Sequence, residues 1–433
     1  MEINPVKGTH DIYQKDGEVY YTIEVVARYL AQLYNFREIR TPIMEHTPLF
    51  LRSVGESSDI VNKEMYTFED KGGRSVTLRP EMTAGVMRSI VSNKLYVNAD
   101  LPMKYFYDGP CFRYERPQAG RYRQFYQVGV ESVGVTSPFQ DAEVIKLGMD
   151  ILNSLQIKNV KLLINTLGDQ ESRDNYRKAL KEYFAQYIDN MCSDCKRRFE
   201  INPLRILDCK DPDDRKYIEG APKMKDFLSE GAKQNFEKVL NALESVGITP
   251  EIDDTLVRGL DYYSGVVFEY HLNEDDDVGA IGGGGHYNNL LKEIGGPDLE
   301  GVGLSFGLER LVHVFKKYHD VENEVNFFID AYVMSMNENA FPLAYSLMDT
   351  LRDQGLAIEG NYETKSFKSL FKVAVKKNAK LALIIGDDEI ANGTITVKNL
   401  KTQEQSNVKV DDLLGVIQTM LDESSQDDSQ GEN

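Results

Sequence analysis

Apolar and polar positions along the first third of the chain predict a long helix and a β-hairpin. The helix is indicated by apolar residues at helical spacing, at Val19, Ile23, Val26, Leu30 and Leu33. A strand, REIRTPI, follows it, and a further helix is predicted from Met82. The segments KYFYDGP and VGVESVGV are rich in aromatic and β-branched residues, which predicts two strands joined by a turn at residues 117–120.

The middle of the chain changes character twice. Residues 170–235 are rich in charged residues, contain three cysteines and lack strand alternation, so we interpret them as a helical insertion. Strand patterns return in LVRGLDYYSGVVFEYHL and in AIGGGG. The segment VGLSFGLERLVHVFKKY has few polar residues and is predicted to be a helix that closes a large unit.

A polar linker at residues 318–326 precedes a region in which strands and helices alternate. This alternation predicts a small α/β domain with a largely parallel sheet. The predicted domains are a large unit over 1–325, with its insertion at about 170–235, and an α/β domain over 326–421. The last residues, 422–433, contain five acidic residues and no basic residue, so we expect a disordered tail.

Composition places limits on the class of protein. The chain has 433 residues, four cysteines and a net charge of −19. Four cysteines in so long a chain do not make a disulfide framework. No apolar run could span a membrane, and the first residues lack the features of a secretory signal, so we predict a cytoplasmic protein without a membrane segment. The negative net charge argues against extensive nucleic-acid binding over the whole surface, but it permits local basic surfaces.

The predicted hairpin concentrates positive charge. It contains four arginines and one carboxylate, at Arg113, Arg116, Arg121, Arg123 and Glu115. The planar guanidinium group matches phosphate oxygens two at a time, which favours a phosphate-binding site. A solvated basic loop is the alternative.

Two segments present small or polar residues beside predicted elements. TLRPEMTAG places Arg79, Glu81 and Thr83 before a helix, where a carboxylate and a hydroxyl could bind an ammonium group or could cap the helix. AIGGGGHYNNLL contains four consecutive glycines, but it has neither the P-loop sequence nor the dinucleotide spacing. Such a run lets a ligand or another backbone approach closely.

Two further segments place charged residues among apolar ones. If LVRGLDYY were a strand, alternation would point Arg258 and Tyr262 to one face and Tyr263 to the other. An ordinary ion pair on an edge strand is the alternative. Glu309 and Arg310 lie in the predicted apolar helix, where a buried arginine needs an anionic partner, which could be a ligand or a structural carboxylate.

The cysteines of the insertion raise the question of a metal site. Cys192 and Cys195 form a C-x-x-C pair, and Cys209 follows fourteen residues later. A structural zinc site needs four ligands, and the fourth cysteine, Cys111, belongs to the hairpin. Zinc remains an alternative, and no metal site is predicted.

Together these segments resemble the histidyl-tRNA synthetases, a family of class II aminoacyl-tRNA synthetases, over most of the chain. Three stretches resemble class II motifs 1 to 3, namely FREIRTPIMEHTPLF with Pro42, FRYERPQAGRYRQF, and GVGLSFGLERL with Arg310. LVRGLDYY and IGGGGHYNNL resemble the two histidine-specific signatures. The second signature departs from the family at His286, where arginine is frequent, and at Asn289, where glycine is common.

The resemblance implies an α+β catalytic domain, in which helices flank an antiparallel sheet, with a helical insertion and a C-terminal α/β anticodon-binding domain. It implies a homodimer with Pro42 at the interface. The implied activity is that of a histidine–tRNA ligase, which forms histidyl-adenylate and pyrophosphate from L-histidine and ATP and then transfers histidine to the 3′ end of tRNA(His). Mg²⁺ would accompany ATP, and no tightly bound cofactor is implied.

The resemblance also implies roles for individual residues. The catalytic residues would be Arg258 and Arg113. The histidine-binding residues would be Glu81, Thr83, Arg113, Gln127, Glu131, Arg258, Tyr262 and Tyr263. The ATP-binding residues would be Arg113, Glu115, Arg121 and Arg310. The tRNA-binding residues would be Arg116, Gln118, Lys368, Lys372 and Lys376, of which the three lysines share one helical face.

Alternatives stay open for the lysines and for the whole chain. The lysines could instead form an ordinary solvent-exposed helix face that binds no tRNA. The chain could also be a regulatory subunit of ATP phosphoribosyltransferase, or a module that senses uncharged tRNA. The C-terminal domain, the arginines and the intact LVRGLDYY favour the enzyme, and adenylation activity distinguishes it from both.

Overall fold

The computed structural model describes residues 3–55, 58–117, 120–209, 211–273, 278–321 and 328–429, with side chains as far as residue 422. The described residues form two compact units, and the chain passes from one to the other at Asp320–Val321. Each unit has its own sheet.

The first unit contains an eight-stranded and a three-stranded sheet. Its strands are β1 (Arg37–Glu38), β2 (Met44–His46), β3 (Tyr66–Glu69), β4 (Ser75–Leu78), β5 (Met103–Phe112), β6 (Gln124–Val133), β7 (Val160–Thr166), β8 (Glu251–Ile252), β9 (Tyr263–Leu272), β10 (Gly282–Tyr287) and β11 (Gly301–Gly307). The strand order is β1-β5-β6-β11-β10-β9-β7-β8 in the large sheet and β2-β4-β3 in the small one. Only the edge pairs of the large sheet, β1 with β5 and β7 with β8, are parallel among these described strands.

Helices flank the large sheet and form the insertion. They are α1 (Gln14–Leu33), α2 (Thr47–Ser53), α3 (Thr83–Ser92), α4 (Pro138–Ser154), α5 (Gln170–Phe184), α6 (Ser193–Ile201), α7 (Pro212–Ile218), α8 (Glu230–Ser245), α9 (Leu290–Glu293) and α10 (Leu308–Tyr318). Shorter helical turns cover Ile60–Glu64, Ile188–Asn190, Pro203–Asp208 and Met224–Phe227. The described residues between β7 and β8 are thus helices and connecting turns.

Helix α1 buries a slightly different face from the predicted one. Its buried side chains include Val19, Ile23, Ala27 and Ala31, whereas Leu33 is 62% exposed. Alanine packs closely against a neighbouring element, so a face chosen only from large apolar residues is rotated from the true one.

Two segments have a structure other than the predicted one. LVRGLDYY is mostly irregular, because β9 begins only at Tyr263. The preceding backbone bonds elsewhere, and the N–H of Asp261 donates to the carbonyl of Val54 at 3.2 Å. GVGLSFG is strand β11 and not helix, since α10 begins at Leu308. β11 lies between β6 and β10 with most of its residues buried, and a strand covered on both faces shows no polar alternation.

The second unit is a smaller α/β domain. Its strands are β12 (Ile329–Ser335), β13 (Ile358–Gly360), β14 (Ala379–Ile385), β15 (Thr394–Asn399) and β16 (Gln405–Lys409). Its helices are α11 (Phe341–Asp353), α12 (Phe367–Lys376), α13 (Asp387–Asn392) and α14 (Leu413–Ser429), with short 3-10 turns at Glu338–Ala340 and Val410–Asp412. The strand order is β13-β12-β14-β15-β16.

The sheet of the second unit is mixed, so the prediction of a largely parallel sheet was wrong. β12 is parallel to β13 and β14, whereas β14 with β15 and β15 with β16 are antiparallel. The connections after β14 are too short for parallel crossovers. The sequence prediction also missed β16. Helix α14 extends to Ser429, into the acidic stretch that was predicted to be disordered.

Candidate active site

A cavity of about 340 Å³ opens on one face of the large sheet, and five arginines and five acidic residues make up its charged lining. Six predicted site residues line it, namely Arg113, Glu115, Arg121, Gln127, Arg258 and Arg310. Arg205, from the insertion, adds a fifth guanidinium group. Because guanidinium groups bind phosphate oxygens in pairs, this arginine cavity suits a polyphosphate.

The hairpin between β5 and β6 supplies Arg113 and Arg121. The Nε of Arg113 donates to the carbonyl of Pro80 at 2.8 Å, and its guanidinium lies 5.1 Å from the centre of the Phe125 ring. Glu115 lies 3.9 Å from Nη1 of Arg113 and 3.7 Å from Nη1 of Arg121. These separations exceed those of direct hydrogen bonds, so Pro80 and Phe125 orient Arg113 more firmly than Glu115 does.

Arg310 lies in the first turn of α10 and donates a hydrogen bond to the carbonyl of Ala280. Burial, together with the nearby charge of Arg121, lowers the pKa of Arg310. Positive groups that lie this close repel each other until an anion comes between them. The arrangement therefore favours a bound anion.

Arg258 extends into the arginine cavity from the turn before β9. It forms an ion pair with Glu269 of β9, whose carboxylate also lies 2.9 Å from Nε2 of His271. Burial alone would lower the pKa of Arg258, but Glu269 outweighs it and the pKa is raised. A Cβ at Gly283 on β10 would lie 2.8 Å from Nη1 of Arg258, so the glycine leaves room for the guanidinium.

Glu131 of β6 is buried and accepts three hydrogen bonds from hydroxyl groups. They come from Thr83 at 2.7 Å, Tyr107 at 3.1 Å and Tyr287 at 2.7 Å. A Cβ on its register partner Gly303 would overlap the carboxylate, so the glycine makes space for it. Burial raises the pKa of Glu131 to about 7. We call Glu131 with these three hydroxyl residues the Glu131 network.

Glu81 lies at the start of α3 and is also buried. Its carboxylate accepts the backbone N–H groups of Thr83 at 2.7 Å and Ala84 at 2.9 Å. Burial raises the pKa of this carboxyl group. In this structure Glu81 caps the helix, as the alternative interpretation of TLRPEMTAG has it, and its role toward an ammonium group stays a prediction.

Tyr262 and Tyr263 connect the Glu131 network to the arginine cavity. Their ring centres are 4.6 Å apart, and Tyr262 lies edge-on to Tyr287 at 5.8 Å. The ring of Tyr263 is 5.7 Å from the guanidinium carbon of Arg258. The two tyrosines thus form a continuous aromatic contact between a buried carboxylate and the arginines.

Two further residues tie the surrounding elements together. The Oε1 of Gln127 accepts a hydrogen bond from the thiol of Cys111 at 3.3 Å. Glu309 accepts the backbone N–H of Tyr126, with its two oxygens at 2.9 and 3.1 Å, and burial raises its pKa to about 7. Glu309 therefore anchors the start of α10 to β6, which positions its neighbour Arg310.

Sequence reasoning missed Tyr107, Tyr287, Glu269 and Arg205 as site residues. Tyr287 belongs to the glycine-rich signature, so the motif carried a usable signal. Strand alternation would have placed Tyr107 on the same face as Tyr105, the register partner of Glu131. Arg205 comes from the helical insertion, where no pattern relates a side chain to the sheet.

The described residues predicted to bind tRNA are all exposed. Arg116 is exposed, and Gln118 lies outside the described residues. Lys368, Lys372 and Lys376 are exposed along one side of α12. The buried residues of α12 are Leu370 and Ala374, so the lysines face away from the core.

His286 lies in β10, one residue before Tyr287. Its Nδ1 is 2.9 Å from Asp141 and its Nε2 is 3.1 Å from Glu300. Burial alone would lower the pKa of His286, but the two carboxylates raise it to about 9. The imidazole is therefore a cation at neutral pH, as an arginine would be at this position.

The insertion brings a fourth possible metal ligand to its three cysteines. Asp214 of α7 lies within 4.8 Å of the sulfur atoms of Cys192, Cys195 and Cys209, measured between ligand atoms. The sequence argument counted only cysteines, and so it missed this carboxylate.

An antiparallel sheet that presents arginines from a β-hairpin and from the helix after β11 defines the catalytic domain of a class II aminoacyl-tRNA synthetase. The histidyl-tRNA synthetase family model matches residues 8–311, and an anticodon-binding domain model matches residues 330–420. The chain belongs to the histidyl-tRNA synthetase family.

Similar proteins match over nearly the whole chain. A histidine–tRNA ligase of Anoxybacillus flavithermus is 46% identical, over 95% of this chain and 97% of its own. One of Halothermothrix orenii is 45% identical, over 97% of this chain and 100% of its own. The crystal structure of the apo histidyl-tRNA synthetase of S. aureus matches with a TM-score of 0.81 and 38% identity, covering 96% of this chain and 100% of that one. In the part of the chain that the structure describes, no helix is long and apolar enough to cross a membrane.

Proposed function

We propose that this chain, a member of a family that attaches histidine to tRNA, uses the arginine cavity for ATP and the Glu131 network for histidine. The observation that carries the proposal is the continuity of the two, since Tyr262 and Tyr263 lie between Glu131 and Arg258. A carboxylate ligand and a triphosphate could then meet beside Arg258.

The first reaction forms histidyl-adenylate. An oxygen of the histidine carboxylate attacks the α-phosphorus of ATP, the bond to the bridging oxygen breaks, and pyrophosphate leaves. Phosphoryl chemistry of this kind depends on positioning and on neutralisation of charge. In our proposal Arg113 contacts the α-phosphate, Arg310 the γ-phosphate and Arg121 the triphosphate, while Glu115 faces the adenine.

Arg258 is the residue we assign to the charge that develops on the α-phosphate. Its Nε is buried and has no hydrogen-bond partner among the described residues, and Glu269 fixes the other side of the guanidinium. A buried donor without a partner is costly unless a ligand accepts from it. The contact with Glu269 also preorganises the charge before ATP binds, which is the arrangement that stabilises a transition state.

The histidine site follows from the polar groups of the substrate. The α-ammonium needs acceptors, for which we propose Glu81, Thr83 and Gln127. The imidazole needs a partner at each ring nitrogen, and Glu131 and Tyr263 are assigned to these, with Tyr262 as a wall. A site built around such hydrogen bonds rejects ligands that lack them by about 10⁴–10⁵-fold.

Transfer to tRNA is the second reaction, in which the 3′-terminal hydroxyl attacks the histidyl carbonyl and AMP leaves. Residues 330–420 match an anticodon-binding domain, and the exposed Lys368, Lys372 and Lys376 belong to that region. We propose that they contact the tRNA backbone and that Arg116, with Gln118, reaches its acceptor end.

Mg²⁺, dimerisation and location complete the proposal. Mg²⁺ would arrive with ATP, because it keeps several waters and is bound mainly by substrate phosphates. A cytoplasmic homodimer with Pro42 at its interface is consistent with the exposure of the neighbouring apolar residues Ile43 and Met44, which are 41% and 57% exposed. Light scattering on the full chain would measure the oligomeric state.

The test is amino-acid-dependent exchange of pyrophosphate into ATP, with each amino acid supplied singly. We expect exchange with histidine alone, because both imidazole nitrogens are recognised. Exchange with other amino acids would contradict the assigned pocket. A folded protein that exchanges with none of them would instead favour a histidine- or tRNA-sensing role.

A further inference from the structure

The three cysteines of the insertion and Asp214 come from separate segments that the fold brings to one point. Cys192 precedes α6 as its N-cap, Cys195 lies in the first turn of α6, and Cys209 directly follows the 3-10 turn Pro203–Asp208. Asp214 belongs to α7. All four ligand atoms lie within 4.8 Å of one another.

The spacing of the sulfur atoms suits a tetrahedral ion. The sulfurs of Cys192 and Cys209 are 3.8 Å apart. Zinc–sulfur bonds of about 2.3 Å in a regular tetrahedron place two sulfurs about 3.8 Å apart. The sulfurs are therefore separated as zinc ligands would be, and they are too far apart for a disulfide bond.

The polar contacts around the cluster also orient its ligands. The N–H of Cys192 donates to both oxygens of Asp214, at 3.2 and 3.1 Å, and the N–H of Cys195 donates to the sulfur of Cys192 at 3.4 Å. The thiol of Cys209 donates to Asp214 at 3.4 Å. Backbone donors that hold metal ligands in place are the usual outer shell of such a site.

Two of the four ligands of the cluster are buried, and one of these is a carboxylate. Cys195 is fully buried and Asp214 is only 1% exposed. The hydrogen-bond donors to Asp214 named above are a backbone N–H and a thiol, neither of which carries a charge. A buried carboxylate is costly unless a cation or a metal compensates it.

We propose that Cys192, Cys195, Cys209 and Asp214 bind one structural zinc ion. Thiolates select zinc over magnesium or calcium, and a closed set of four ligands is that of a structural site. Each thiol that binds releases its proton to solvent. Cobalt(II) should occupy the same four ligands and report their geometry.

The site also fixes one wall of the arginine cavity. The chain between Cys195 and Cys209 carries Arg198, which bonds to Asp59 at 2.8 Å, and Arg205, which donates to the carbonyl of Arg258 at 3.2 Å. A metal that clamps both ends of this segment would hold these two arginines in place.

The first experiment measures metal content in the full-length protein, purified with zinc and a reductant and without a chelator. We expect about one zinc ion per chain, because four ligands saturate a tetrahedral site. After zinc is removed, cobalt(II) should give the charge-transfer absorption of thiolate ligands and the intense visible bands of a tetrahedral site. A reduced, folded wild-type chain that takes up neither metal overturns the proposal, as does a disulfide between Cys192 and Cys209 with no metal.

Matched variants locate the site. Cys195→Ser should lose the zinc, and Asp214→Asn should weaken zinc binding by at least about tenfold. The controls are Cys111→Ser, a cysteine outside the cluster, and Asp213→Asn, an exposed carboxylate on the same helix. Both controls should keep full zinc. If Cys195→Ser kept as much zinc as the wild type while Cys111→Ser lost it, the metal would lie elsewhere and the proposal would be wrong.

Discussion

In the arginine cavity five guanidinium groups surround an open space, and several of them are oriented by neutral carbonyl groups or aromatic rings. In the Glu131 network one carboxylate is buried, and three hydroxyl groups satisfy it. The pKa of Arg310 is lowered by burial and by positive neighbours, whereas burial raises that of Glu131 to about 7. In the cavity the guanidinium groups face an open space that a ligand could occupy, whereas the hydrogen bonds of the Glu131 carboxyl group are already made.

The difference indicates two ways to recognise a ligand. A polyphosphate can be bound by guanidinium groups from several sides, each of which contacts two of its oxygens. A small polar ligand at Glu131 has to exchange existing hydrogen bonds one for one, since buried polar groups left unpaired are costly. We therefore expect mutations in the cavity to affect rate and ATP, and mutations in the network to affect histidine.

The largest effect is expected from Arg258→Ala. Loss of a preorganised donor at developing charge costs about 10²–10³-fold in kcat, which pyrophosphate exchange measures. Arg258→Lys keeps a partner for Glu269 and should recover part of the loss, while Arg74→Ala, at an exposed surface turn, should change nothing. Near-normal turnover by a folded Arg258→Ala enzyme would remove Arg258 from the mechanism.

Glu131→Gln should impair the binding of histidine and leave the binding of ATP nearly unchanged. Loss of a hydrogen bond to a charged group costs about 1.5–3 kcal/mol, or about 10–100-fold in the KM for histidine, while the KM for ATP changes little. Glu115→Gln, in the cavity, should show the opposite preference. Equal increases for both substrates in both variants would mean that the two regions do not recognise different ligands.

Tyr287→Phe should give a smaller change of the same kind. It removes one hydroxyl donor from Glu131, which costs about 1 kcal/mol or about fivefold in the KM for histidine. The Tyr287 hydroxyl lowers the pKa of Glu131, so its loss should move ionisation of the carboxyl group to higher pH. The measurement is the pH profile of that KM, and an unchanged profile would argue against the network.

His286→Gln should affect stability and neither substrate. The pKa of His286 is raised from 6.5 to about 9 in the folded state, so its contribution is complete below pH 6.5 and is lost as the pH rises through 9. We expect a loss of about 3 kcal/mol at pH 6 and little loss at pH 10, seen as a Tm difference. His286→Arg is the control, because its charge does not titrate in this range. A pH-independent loss would rule out the ion pairs as the cause.

Residues that stand together in a motif were accessible from the sequence. The hairpin arginines, Arg258 and Arg310 were singled out, and the structure brings Arg113, Arg121, Arg258 and Arg310 to one cavity. The family, the catalytic fold class and the α/β nature of the second unit were also predicted and are confirmed. Motif residues indicate a binding site because one ligand contacts several of them at once, even when the motifs are separated in the sequence.

Local patterns failed where neighbours decide the structure. GVGLSFG has no polar alternation because residues on both of its faces are buried, so its apolar run did not distinguish strand from helix. LVRGLDYY has strand-forming residues, yet its backbone bonds to distant segments. Propensity describes a residue and its near neighbours, and tertiary contacts override it.

By itself the sequence determined the family, the positive hairpin and the residue types that can bind phosphate and histidine. Only the tertiary structure decided that Tyr107 and Tyr287 donate to Glu131, that Glu269 pairs with Arg258, and that Asp214 joins three cysteines. Tyr287 is far from Glu131 along the chain, whereas Arg258 and Glu269, or Cys209 and Asp214, are nearer in sequence but belong to different elements. Their meeting depends on strand register and helix packing, which the whole core sets at once.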